Sequence, residues 1–185
     1  MRRRVFVATA AAGAALLPGR GIPQARAQAP APAWEDIVGP GGLYRLRMPK
    51  GYRFLANPRP DGGTLRQYTF TFADRVLLDF MVTDFVGNEA HLPAPPAELA
   101  KRLVAIQGGM EKSWPGATVL EQGPIQLGAV PGRRFVLGVE QGRGVLSARV
   151  YFSPKALYVQ VAHAPAGARQ DPAIALFMDS LSLAG

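Results

Sequence analysis

The chain has 185 residues, no cysteine, 21 Lys and Arg against 13 Asp and Glu, a net charge of +8 and 48% hydrophobic residues. That length suits one domain, and the lack of cysteine excludes a disulfide scaffold, a thiolate zinc site, a thiol nucleophile and a cysteine-borne lipid anchor. Nearly half apolar with only 18% charged residues also excludes wholesale disorder.

The first 27 residues read as an export signal. Three arginines, Arg2 to Arg4, precede the uncharged run Val5–Leu17, and Ala25-Arg26-Ala27 ends the segment. This is the basic, apolar and small-residue order of a cleaved leader, with cleavage expected after Ala27. The apolar run has 13 residues, whereas a spanning helix needs about 20, so no stable membrane span is expected after cleavage. Arg3, Arg4 and Phe6 resemble the twin-arginine export motif, although Arg2, Val7 and Ala8 depart from its usual residues. The resemblance implies a periplasmic or secreted bacterial protein. Removing Arg2, Arg3, Arg4, Arg20 and Arg26 leaves 16 bases against 13 acids, a net +3. That is too small and too scattered to suggest a nucleic-acid partner.

Residues 28–42 read as a Pro/Gly-rich linker, from the alternating prolines of Gln28–Ala33 to the turn Gly39-Pro40-Gly41-Gly42; within it the folded part is expected to start near Trp34. A single domain is expected over 43–185. Leu43–Met48 alternates Tyr44, Leu46 and Met48 with Arg45 and Arg47, the pattern of a half-buried strand. Tyr52–Leu55 reads as a second short strand, and Asn57–Gly63 as a loop. Thr64–Phe72 and Val76–Phe85 alternate as an antiparallel hairpin, with Tyr68, Phe70 and Phe80 inward and Asp79 on the wetter side. From Pro95-Pro96, Leu99, Leu103, Ile106 and Met110 recur at helical spacing, with Gly108-Gly109 expected to weaken the end. Strand patterns return over Ala117–Gln122, Pro131–Glu140, Val145–Phe152 and Ala156–Ala162, the last three as a meander. Asp171-Pro172 opens a final short helix with Ile174, Phe177, Met178 and Leu181 on one face.

Strands and helices in separate runs predict an α+β fold: an antiparallel sheet covered by one long and one short helix. The opening Tyr44-Arg45-Leu46-Arg47-Met48-Pro49-Lys50-Gly51-Tyr52 and the closing Ala156–Val161 with Phe177–Leu181 resemble the photosystem extrinsic family of the PsbP type and its bacterial relatives. The resemblance implies an α/β/α sandwich and a mostly non-catalytic role in assisting or binding other proteins.

No nucleophile elbow, zinc-protease helix motif or phosphate-binding loop occurs. Asp84, Glu89 and His91 lie within eight residues, but their spacing matches no known metal loop. His163 continues the alternation of Leu157, Val159 and Val161, as a histidine at a strand end. Arg133, Arg134, Arg143 and Arg149 fall on neighbouring strands and turns, and Arg134 and Arg149 are the ligand-site candidates. No catalytic residue, metal ligand or cofactor is assigned. The residues and the resemblance together imply an exported accessory module that binds an envelope protein or a small ligand. Two alternatives stand: a periplasmic hydrolase with a dispersed site, requiring a histidine to meet a carboxylate and a serine, and a binder of anionic polymers through an arginine-bearing sheet face.

Overall fold

In the computed structural model, residues 32–60, 62–72, 76–85 and 95–183 are described. The aromatic hairpin forms as its alternation requires. Strands β4 (Thr64–Thr71) and β5 (Leu77–Asp84) pair antiparallel, with Tyr68 opposite Phe80 and Phe70 opposite Leu78. Leu78, Phe80 and Val82 are buried on one side of β5, while Leu77, Asp79 and Met81 are half-buried on the other. Strand β3 (Arg53–Pro58) pairs with the outer side of β4 and is exposed throughout.

The second half of the chain is a meander: β6 (Thr118–Leu127), β7 (Val130–Val139), β8 (Gly144–Phe152) and β9 (Ala156–Pro165). It joins the first half where β9 pairs with β5. The result is one seven-stranded antiparallel sheet in the order β3-β4-β5-β9-β8-β7-β6. Strands β8 and β9 lie in the middle of the sheet, and most of their residues are buried on both sides.

The two faces of the sheet have separate cores. Helix α1 (Pro96–Ser113) lays Leu99, Leu103, Ile106 and Met110 on Phe135, Leu137, Leu146, Val150 and Val159. Burying one such side chain contributes about 1.5–3 kcal/mol. The opposite face carries helix α2 (Pro172–Asp179) and a second, three-stranded sheet, with β2 (Tyr44–Pro49) between β1 (Trp34–Val38) and β10 (Ser182–Leu183). Tyr44, Leu46 and Met48 from β2 join Ile174 and Phe177 from α2 over Leu78, Phe80 and Tyr158. Asp171 caps α2 by accepting a hydrogen bond from the Ala173 amide at 2.8 Å.

The layers are those expected, but several details differ. The linker assigned to 28–42 contains β1, whose Ile37 is buried opposite Leu46. Its apolar residues, Trp34, Ile37 and Val38, do not recur at period two, so no alternation is visible, and pairing with β2 orders it. The strand containing Leu46 belongs to the small sheet, not the main one. Strand β3 runs on through Asn57 and Pro58, where a loop was expected. The meander has four strands, with β6 reaching Leu127. Gly108-Gly109, expected to weaken the end of α1, lie inside it; the helix continues to Ser113, with Met110 and Trp114 packed on the sheet beyond the glycines.

Candidate functional site

The export motif Arg3, Arg4 and Phe6, the cleavage point after Ala27, Glu89 and His91 all lie outside the described residues. Asp84 is 6% exposed and already occupied. It accepts hydrogen bonds from the Arg66 guanidinium and, at 3.0 Å, from the Thr64 amide, which ties the ends of β4 and β5 together. Among the described residues no cluster of three metal-ligating side chains occurs. His163 points to the α1 face, where its ring lies 5.0 Å from that of Trp114 and its Nε2 is 3.8 Å from Glu140 Oε1. A carboxylate therefore approaches one histidine, but the buried Nε2 makes no hydrogen bond with serine or any other residue among the described ones.

The four arginines do not share a face. Arg133 projects toward α1, where its Nε donates to Gln107 Oε1 at 2.5 Å and its Nη2 to Gln122 Oε1 at 2.7 Å. Arg143 sits in the β7–β8 turn and donates to the Glu140 carbonyl at 3.2 Å. Arg134 and Arg149 are directly opposite one another on β7 and β8, on the α2 face. Arg149 is committed to the fold: Nη1 donates to the Met178 carbonyl and Nη2 to Asp179 Oδ1, both at 2.7 Å. A cation at the last turn of α2 satisfies a free carbonyl and opposes the helix dipole favourably. Gln160, fully buried, donates to the neighbouring Phe177 carbonyl at 3.0 Å.

Two grooves flank the meander. One, of about 680 Å³, lies between the first half of α1 and the β6–β7 hairpin. Its lining is largely apolar: Pro96, Leu99, Ala100 and Leu103 from the helix face Pro124, Ile125 and Pro131. The other, of about 390 Å³, lies between α2 and strands β6 to β8 and contains Arg134, Arg149, Arg169, Glu121, Asp171 and Asp179. The Arg169 guanidinium pairs with the Glu121 carboxylate across that groove. Three arginines thus meet three carboxylates there, and the groove has no net formal charge.

Some site residues give no signal in one dimension. Gln107 falls on the apolar stripe of α1, four positions after Leu103, yet it is 4% exposed and also donates to Glu111 and Gln122. Glu121, Arg169 and Asp179 come from three separate segments, and only folding brings them to one groove.

No protein-family model matches the chain, and no curated protein is significantly similar to it in sequence. Among solved structures it is similar to LpqN of Mycobacterium tuberculosis, a protein involved in cell envelope biogenesis, with a TM-score of 0.50 and 12% identity over 83% of this chain and 91% of that one. A protein of unknown function from Pseudomonas aeruginosa, PA94, superposes with a TM-score of 0.40 and 16% identity over 67% of this chain and 79% of that one. The likeness to LpqN is one of fold: this chain shares its α+β architecture.

Proposed function

We propose that this chain is an exported, non-catalytic accessory module of the bacterial cell envelope that binds an apolar ligand or partner segment between α1 and the β6–β7 hairpin. The observation that carries the reading is the groove itself, the larger of the two, with Leu99, Leu103 and Ile125 lining it. A concave, mainly apolar surface of this size suits a ligand that buries its own apolar area. The basic, apolar and small-residue order of residues 1–27 supports export. The resemblance to the PsbP type supports binding over catalysis. LpqN, which shares the fold, takes part in cell envelope biogenesis.

Two measurements test this. Nile red, an apolar dye, is titrated into the full chain and into A100W, which places an indole in the groove from an exposed helix position. The dye's emission should rise with the parent and stay flat with the variant, at unchanged circular dichroism. Equal dye binding by both proteins refutes the groove. For export, N-terminal sequencing of native protein should begin at Gln28 in the envelope fraction, and an intact Met1 in the cytoplasmic fraction refutes that part.

A further inference from the structure

We propose that the α2 groove seats one small oxyanion, a carboxylate or phosphate group, on Arg134. The site is independent of the apolar groove under α1.

The argument starts from charge. Of the three arginines in the groove, Arg149 is neutralised by Asp179 and Arg169 by Glu121. Asp171 is engaged as the cap of α2. Arg134 has no hydrogen bond or ion pair among the described residues. Its cross-strand neighbour on β8 is Arg149, and like charges directly opposite on a sheet oppose folding. Asp179 relieves that repulsion only from the Arg149 side, so an anion at Arg134 completes the compensation.

Space comes next. On its other side Arg134 faces Gly123 of β6. A Cβ at Gly123 would meet nothing within 4 Å, so no packing requires glycine there, and the missing side chain leaves the guanidinium approachable. The planar fork of arginine matches two oxygens of a carboxylate or phosphate. The walls set the size of the ligand: Asp171, the carboxylate of the groove that is in no ion pair among the described residues, repels an anion that extends past the fork toward α2. One oxyanion fits, and a polyanion does not.

The test uses the full chain labelled with 15N, observing arginine Nε–Hε resonances. Sodium phosphate and sodium acetate are titrated separately at constant ionic strength. Arg53, an exposed arginine of β3 with no ion pair among the described residues, is the internal control. A saturable shift at Arg134 and none at Arg53 is expected. Saturation by both anions identifies a general oxyanion seat, and saturation by one identifies which head group it takes. R134Q, read by isothermal titration calorimetry because the reporting resonance is removed, should weaken binding at least about tenfold, the loss expected for a charge-assisted hydrogen bond, with the Arg149 resonance unchanged. R134K should keep part of it. Equal shifts at Arg53, a linear response to both anions, or binding that survives R134Q overturns the proposal.

Discussion

Gly39→Ala tests how tightly the two sheets are packed. Gly39 precedes the short turn before β2 and has φ −70° and ψ 166°, a conformation open to alanine. Backbone strain therefore contributes nothing. The obstacle is the Tyr44 ring: a Cβ at position 39 would lie 2.5 Å from both its Cδ1 and Cζ. Carbon atoms rest about 3.5–4.0 Å apart, so the overlap is about 1 Å or more. The ring cannot simply withdraw. It is 1% exposed, sits edge-on to Phe80 and Tyr158 with centroids at 5.3 and 6.1 Å, and shares a hydroxyl–hydroxyl bond of 3.0 Å with Tyr68. Forcing an extra methyl into a packed core costs about 1–3 kcal/mol, and disturbing the buried Tyr44–Tyr68 bond adds about 1 kcal/mol. The sum is about 2–4 kcal/mol, a fall in Tm of roughly 5–15 °C for a chain of this size. Urea denaturation and calorimetry of the full chain measure it. A double-mutant cycle isolates the cause, because Tyr44→Leu removes the ring and should reduce the cost of Gly39→Ala by more than half. A Gly39→Ala cost below about 0.5 kcal/mol, or an equal cost in both backgrounds, refutes the reasoning.

Burial holds the Asp79 carboxyl above its ordinary value of 3.8, against the opposing hydrogen bonds from Gln67 and Thr69. The native chain keeps that proton where the unfolded chain has lost it. The group's contribution is therefore complete below the ordinary value and is lost as pH rises through the raised native value. D79N should be more favourable relative to the parent at pH 7 than at pH 3 in urea denaturation, and a pH-independent difference contradicts this. H163F keeps a ring against Trp114 and removes a buried Nε2 that makes no hydrogen bond among the described residues, so its Tm should be unchanged or higher; a fall of more than about 1 kcal/mol in stability would show that the contact with Glu140 stabilises the fold. R149L frees the Met178 carbonyl and Asp179, and should cost about 1–2 kcal/mol, mostly through the carbonyl because the ion pair is partly exposed. Amide exchange should quicken in α2, and undiminished protection there contradicts an anchoring role.

Much of the architecture is legible in one dimension because burial on a pleated sheet or a helix imposes a period. Tyr68, Phe70, Leu78 and Phe80 alternate, and they form the hairpin that their spacing announces. Leu99, Leu103, Ile106 and Met110 advance by 4, 3 and 4, and that stripe is the one that meets the sheet. Asp171-Pro172 marks the start of α2 because the cap and its proline are local. Where the signal is non-local, it fails. β1 is a strand only because β2 supplies its hydrogen bonds and its buried neighbour. The choice between main sheet and small sheet for Tyr44, Leu46 and Met48 depends on which partner strand they find, and their alternation is the same in either.

The same division governs the site. Sequence alone determined the order of the strands from β2 to β9 with the two helices, the two faces of the central hairpin and the choice of Arg134 and Arg149 as candidates on neighbouring strands. Only the tertiary structure decided that Arg149 holds the end of α2 while Arg134, beside Gly123, has no partner among the described residues. Periodicity reports which side of an element is buried, a property of one segment. Whether a charge is spent or available depends on carboxylates and carbonyls that arrive from 30 or more residues away, as Asp179 does to Arg149, and no local pattern encodes that meeting.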